Sequence, residues 1–332
     1  ILAAALLAGC AFLPSESEPE ALAPADPLTG HPLEWPGQRP VAVTIENSTA
    51  SATQWGISSA SVVLEALTEA GMATKLCLVY PALAATPKVG PVAAGQDIYW
   101  RLLVGQQPLP VQRGGGQFDQ NYLDYYSIRA VNALEAGRTA FDCGSEWSNA
   151  PLWYTSGSAV SKVLDALSIS AVLTESRVTS AASAAAASAS SGSDAVLTVP
   201  ALLPQEEDGK LPDATAPDAV NVRVCFDDNN ATGFAYDPDS GLYRMLHADG
   251  TPQLDANNDQ QAGFDNLLVL FSASELRDDG KTYDYDLSMG GGVWLNGVLA
   301  NLQKPLLALD AKAGFVGLVI LMCWQQIGYM MI

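Results

Sequence analysis

Three carboxylates and one amide in the first quarter of the chain have types and spacings that could do chemistry. Glu46 and Asn47 directly follow the apolar, β-branched run of residues 39–45, and polar groups at the end of a strand often face a cleft. Glu65 and Glu69 lie four residues apart, which places both on one face if that segment is a helix. We therefore predict a cleft lined by these four side chains, the plainer alternative for Glu65 and Glu69 being a solvated acidic edge.

Other catalytic and cofactor sites are disfavoured by the residues present. The two histidines, His31 and His247, occur without a surrounding pattern that would assemble a Ser-His-Asp or Cys-His site. The glycines at 114–116 lack the Lys-Ser/Thr of a phosphate-binding loop. The acidic and amide-rich segment 255–259 lacks the Gly and Glu positions of an EF-hand, so a plain polar loop is favoured there. The sequence predicts no cofactor and no metal site.

The first ten residues are typical of the end of a lipoprotein signal peptide. An apolar run closes on Leu-Ala-Gly followed by Cys10, and signal peptidase requires small side chains just before the cysteine that receives the lipid. Residues 11–35 are rich in Pro and acidic groups, and we interpret them as a flexible tether. Because neither Met nor a basic segment precedes Ile1, we expect residues upstream of the printed sequence.

The spacing of the remaining cysteines concerns zinc binding, and the net charge concerns nucleic-acid binding. No zinc cluster is predicted, because the remaining cysteines lie far apart without a Cys-x-x-Cys motif; they are Cys77, Cys143, Cys225 and Cys323. Cys77 and Cys225 lie in apolar runs, where buried free thiols are expected, and a disulfide is the alternative that export would permit. A formal net charge of −20, from 16 basic and 36 acidic residues, disfavours nucleic acid as a partner. We predict an extracytoplasmic protein, attached to the cell membrane by its N-terminal lipid, with an unidentified envelope ligand or protein as partner.

The order of elements predicts a mixed α/β or α+β fold. A strand at 39–45, a helix at 58–70 with apolar residues at helical spacing, and a strand at 74–80 suggest an α/β unit, which we extend over residues 36–179. An Ala/Ser-rich and then acidic, Pro-rich segment, 180–219, is interpreted as a linker.

A smaller, mainly antiparallel β domain is predicted for residues 220–297. The turn sequence Asp-Pro-Asp-Ser-Gly at 237–241 separates two strand-like runs and predicts a hairpin. Residues 298–332 depart from this pattern, since 314–324 form a continuous apolar run that is short for a membrane span. An altered terminus and a buried or membrane-associated segment both remain open for that run.

Several segments together resemble the DUF3048 family of bacterial lipoproteins related to YerB. The resemblance covers approximately residues 27–292, and the segments that carry it are 39–47, 56–66, 69–71, 89–92, 234–237, 243–244 and 266–271. It implies a two-domain mixed α/β fold and a lipid-anchored location, and it assigns no activity. Ala93 and Gln96 stand where this family usually has arginines, and Gln253 stands where it tends to have a histidine. The resemblance therefore implies no anion-binding role for this chain that depends on those arginines.

Two functions from different classes remain. The first is a non-catalytic module that binds an envelope ligand or partner in the cleft near Glu46 and Asn47. The alternative is a cell-wall glycan hydrolase, in which two of the carboxylates Glu46, Glu65 and Glu69 act as acid and base.

Overall fold

The computed structural model describes residues 25–48, 53–143, 152–173, 202, 219–287, 291–295 and 298–301, the last two ranges as backbone only. Cys10, Cys323, the segment 314–324 and most of the 180–219 linker lie outside these residues. For those positions the sequence predictions stand as predictions.

The amino-terminal domain is built on a five-stranded mixed sheet with strand order β2-β3-β1-β4-β5. Its elements are β1 (Val41–Glu46), β2 (Val62–Ala66), β3 (Lys75–Tyr80), α1 (Asp97–Leu103), β4 (Leu109–Gln112), α2 (Gln117–Tyr125), β5 (Val131–Asn132), α3 (Ala133–Ala136) and α4 (Gly157–Val160). Short 3-10 helices occupy Ile57–Ser59, Leu83–Ala85, Val104–Gln106 and Gly137–Thr139. Strand β1 runs antiparallel to β3 and parallel to β4, so the predicted strands at 39–45 and 74–80 are adjacent in the sheet.

Side chains alternate along each strand of this sheet, and both faces are covered. Ala42, Cys77 and Val79 pack with Trp100 and Leu103 of α1 on one face, which we call the helix face. On the opposite face, which we call the domain face, buried strand residues pack with Met245 and Ala262 of the second domain. Burial on both faces explains why β1 and β3 are apolar at nearly every position rather than alternating with polar residues.

The predicted helix at 58–70 is wrong. Only Ile57–Ser59 form a 3-10 turn, and the chain then forms the strand β2, whose Val62 pairs with Val79 and whose Glu65 pairs with Leu76 of β3. Short apolar runs fit the helical and the strand periods equally, and the adjacent β-branched residues Val62 and Val63 favour the strand. Pairing with the buried strand β3 therefore overrides the helical spacing.

The second domain is mainly antiparallel β-structure. Its strands are β6 (Asn221–Cys225), β7 (Ala231–Asp237), β8 (Leu242–Leu246), β9 (Leu254–Asp255), β10 (Gln260–Gln261), β11 (Gly263–Phe264), β12 (Asn266–Leu270), β13 (Ala273–Leu276), β14 (Tyr283–Asp286), β15 (Gly291–Leu295) and β16 (Val298–Asn301). The predicted hairpin is β7–β8, in which Tyr236 pairs with Tyr243 and Gly241 takes the positive φ of 72°. The predicted fold class, an α/β domain followed by an antiparallel β domain, is confirmed.

The part of the predicted tether that the structure describes, residues 25–35, is folded onto the amino-terminal domain. Ala25 forms a bridge with Pro32, and Leu28 is buried in the core of the helix face. The prediction of a flexible tether is wrong for these residues, because their apolar side chains supply burial that offsets the entropy of ordering the segment.

Candidate functional site

Glu46 and Asn47, at the end of β1, lie on opposite faces of the sheet. Successive side chains of a strand point to opposite faces. Glu46 follows Ala42 and Thr44 onto the helix face, whereas Asn47 follows Val43 and Ile45 onto the domain face. The four predicted side chains therefore belong to two separate polar groups rather than to one cleft.

On the domain face, Asn47 and Glu65 form a closed hydrogen-bond network. Glu65 Oε1 accepts from Asn47 Nδ2 at 3.1 Å, from the Thr74 hydroxyl at 2.7 Å and from the Thr232 hydroxyl at 2.8 Å. Thr232 belongs to β7, so the carboxylate joins the two domains. Gln54 extends the network, because its Nε2 donates to Asn47 Oδ1 at 3.0 Å.

Burial and hydrogen bonding act in opposite directions on Glu65. Burial is the largest effect and raises the pKa of its carboxyl, while the hydrogen bonds from Thr74, Thr232 and Asn47 lower it. Three donors converge on a single carboxylate oxygen, which fixes its position. This arrangement is that of a structural carboxylate that holds the interface between the domains.

On the helix face, Glu46 and Glu69 share one lysine. Lys75 is the register partner of Glu46 across β1 and β3, and its ammonium forms an ion pair with Glu69. Burial raises the pKa of the half-buried Glu46; Lys75 and Arg113 oppose that rise, and Glu69 adds to it. The predicted pairing of Glu65 with Glu69 on a helix is wrong, and Glu46 has Glu69 and two cations as its charged neighbours.

Asp255 makes a second contact between the domains. The sequence analysis predicted only a plain polar loop for its segment, 255–259. The Asp255 carboxylate is fully buried and accepts from the backbone N–H groups of Gly56 at 3.0 Å and Ser58 at 2.9 Å, and from the Ser58 hydroxyl at 2.7 Å. Nearby, Gln253 Nε2 donates to Gln54 Oε1 at 2.7 Å. No local sequence signal indicates that a carboxylate near residue 255 would bind backbone at residues 56–58.

A further polar group is centred on Asp119 of α2, and the sequence analysis did not predict it. Its carboxylate is 3% exposed and accepts from Trp100 Nε1 at 2.5 Å and from Gln112 Nε2 at 2.9 Å. Burial raises the pKa of Asp119 to about 6, an effect that the two hydrogen bonds oppose and the nearby Asp97 carboxylate reinforces. The sequence signal available was an Asp within the first turn of a helix that follows three glycines.

Two further findings concern the part of the chain that the structure describes. It contains no group of three or more His, Cys, Asp or Glu side chains placed to hold a metal ion. Its three cysteines are free; Cys77 is buried as predicted, whereas the prediction of a buried thiol is wrong for Cys225, which is exposed. None of its helices combines the length and the apolar character needed to cross a membrane.

Comparison with known proteins identifies the relatives of this chain. Residues 28–170 match the family model described as the N-terminal domain of the DUF3048 proteins of unknown function, and residues 221–299 match the corresponding C-terminal domain. A protein from Bacillus subtilis (strain 168) named "Putative lipoprotein YerB" is 25% identical over 270 residues, which are 80% of this chain and 72% of that protein. A crystal structure of the YerB protein from Bacillus subtilis matches with a TM-score of 0.65 and 22% identity, over 83% of this chain and 85% of that chain.

Proposed function

The chain belongs to the DUF3048 family, and on that premise we propose that it is an extracytoplasmic lipoprotein, anchored through Cys10, whose folded part binds an envelope ligand or partner protein without catalysis. The acidic composition is consistent with a surface that faces water rather than anionic lipid headgroups.

Two observations support the lipid anchor. The relative in Bacillus subtilis carries the name of a lipoprotein, and Leu-Ala-Gly-Cys at residues 7–10 has the small side chains that lipoprotein signal peptidase requires. We expect the chain, expressed in bacteria behind a complete signal peptide, to incorporate an alkyne-labelled fatty acid and to partition into detergent. Cys10→Ser should abolish both, whereas the matched variant Cys225→Ser should keep them. Labelling that survives Cys10→Ser would contradict the assignment.

The observation that carries the binding proposal is that Glu65 and Glu69 are each engaged by other side chains. Glu65 accepts three hydrogen bonds within the domain interface, and Glu69 is paired with Lys75. Neither is placed as a free acid–base partner of Glu46, and acid–base hydrolysis requires two carboxyl groups that flank one bond. Glu46, with Lys75 and Arg113 as neighbours, is suited instead to hold a polar ligand of mixed charge.

The test compares capture from solubilised envelope by the full chain and by its Glu46→Ala variant. Glu275→Ala is the matched control, because Glu275 is an exposed glutamate on β13. We expect a protein or glycan that is captured by the intact chain and by the control but not by Glu46→Ala. Glu65 is left intact, since alanine there would disturb the domain interface as well as any ligand. Equal capture by all three proteins would contradict a binding role for Glu46.

The same preparations also test the alternative function. Incubation of the full chain with purified peptidoglycan over a wide pH range should release no soluble sugar. Release that is lost in Glu46→Ala and retained in Glu275→Ala would replace the binding proposal by the glycan hydrolase.

A further inference from the structure

At the carboxyl end of the parallel strands β1 and β4, the helix face carries oxygen atoms that have no hydrogen-bond partner among the described residues. They are Thr44 Oγ1, Gln112 Oε1 and Asn132 Oδ1. Thr44 and Gln112 are fully buried, and Asn132 is half-buried. Buried polar groups are nearly always paired, because an unpaired one has lost its hydrogen bonds to water without a replacement. Three such oxygens in one place therefore indicate a missing partner.

Strand register makes these three side chains neighbours. Thr44 and Gln112 directly follow Val43 and Val111, which are register partners on β1 and β4. Gln112 is in turn the register partner of Asn132 on β5. The carboxyl ends of parallel strands are where ligands bind in open α/β sheets.

Gln112 and Asp119 each place a side-chain oxygen close to Gly95. A Cβ atom on Gly95 would lie 1.8 Å from Gln112 Oε1 and 2.7 Å from Asp119 Oδ1. On Gly115 it would lie 1.7 Å from Asp119 Oδ2. Gly115 is exposed, so the buried carboxylate is separated from solvent by a residue without a side chain.

The charge of Asp119 has no cationic counterpart among the groups that act on it. Its hydrogen-bond donors, Trp100 and Gln112, are neutral. Its charged neighbour is Asp97, a second carboxylate, whose two oxygens are bound by Arg277 at 2.8 and 2.7 Å. The group around Asp119 therefore contains surplus acceptors and one carboxylate that lacks a counter-ion.

We propose that Thr44 Oγ1, Gln112 Oε1 and the Asp119 carboxylate bind a hard cation of the calcium class, with Asn132 Oδ1 beside them. Hydroxyl, amide and carboxylate oxygens are the ligands that such cations take. A single carboxylate distinguishes this site from clusters of several acidic side chains, and a low ligand charge corresponds to a dissociation constant of about 10⁻⁴–10⁻³ M, as in extracellular calcium modules.

The first experiment uses Tb³⁺ as a luminescent substitute for Ca²⁺ on the full chain. Trp100 donates directly to Asp119, so excitation of tryptophan should sensitise Tb³⁺ bound there, and Ca²⁺ should compete for the signal. Asp119→Asn should weaken the binding by at least about tenfold. The matched control Asp124→Asn removes an exposed carboxylate on the same helix and should leave it unchanged. The proposal would be overturned if the parent gave no Tb³⁺ luminescence, or if Asp119→Asn and Asp124→Asn gave equal luminescence.

A second variant guards against a loss of signal caused by misfolding. Thr44→Val keeps the shape of the side chain and removes the unpartnered hydroxyl, so the variant should unfold at a higher temperature than the parent in chelator and gain less from added Ca²⁺. Thr68→Val is the control, since Thr68 also has a buried, unpartnered hydroxyl but lies outside this group. If the two variants respond equally to Ca²⁺, the site does not exist and buried water supplies the missing partner.

Discussion

The partly buried Glu65 and the buried Asp119 are carboxylates on opposite faces of one sheet, and they differ in how many hydrogen-bond donors surround them. Glu65 receives three donors, one of them from the second domain, and closes a network that needs nothing further. Asp119 receives two donors and lies beside acceptors that have no donor. Burial raises the pKa of both side chains, so the shift alone does not distinguish them.

A polar network whose groups are all hydrogen-bonded and one with unpaired groups have different roles in the same fold. A complete network stabilises the structure, and its residues are expected to matter for folding. An incomplete one carries an energetic cost that a bound group can remove.

The largest effect is expected for Glu65→Ala. The substitution leaves the donors of Asn47, Thr74 and Thr232 without their shared acceptor, which should lower the free energy of unfolding by about 3 kcal/mol or more. Glu65→Gln retains an oxygen acceptor and should change it by less than about 1 kcal/mol. Urea denaturation measures both. Similar values for the two variants would show that Glu65 is not the centre of the network.

The next effect is the pH dependence that Asp119 contributes. Its pKa is raised from the ordinary 3.8 to about 6, so its contribution to stability is fully present below 3.8 and is lost as the pH rises through about 6. The difference corresponds to a loss on the order of 3 kcal/mol between pH 4 and pH 8. Denaturation in chelator should show that the parent loses more stability over this range than Asp119→Asn, in which this titration is absent. Parallel pH profiles would contradict the assignment.

The smallest effect is expected for Thr232→Val. It removes one donor to Glu65 from the second domain while two donors remain, and a single hydrogen bond contributes about 1 kcal/mol, or somewhat more to a charged group. A double-mutant cycle with Glu65→Gln should give a coupling energy of about 0.5–1 kcal/mol. Additive effects would mean that the contact between the domains contributes no stability through this bond.

The parts of the fold that sequence predicted correctly are those with strong local signals. The strands β1 and β3 are continuous apolar runs, and the β7–β8 hairpin is marked by the turn at 237–241. The prediction for segment 58–70 was wrong because its apolar spacing suits a helix, whereas pairing with β3 makes residues 62–66 a strand. Edge pairing is a tertiary effect, and a window of sequence does not contain it.

The candidate site was predictable to the same limited extent. The position of Glu46 and Asn47 at the end of a strand could be read from the residues that precede them. The contacts from the second domain could not be predicted. Thr232, which donates to Glu65, and Asp255, which accepts from Gly56 and Ser58, lie far along the chain and meet the first domain only after folding. The wrong helix also placed Glu65 and Glu69 together, whereas the strand directs Glu65 to the second domain.

The buried Asp255 carboxylate has a consequence for how the two domains can evolve. Its bonds to Gly56 and Ser58 connect the residues matched by one family model to those matched by the other. A chimera that joined this first domain to a C-terminal half lacking that carboxylate would leave two backbone N–H groups unpaired inside a closed interface. We therefore expect the two domains to occur together in one chain in related proteins, although each is matched by its own family model.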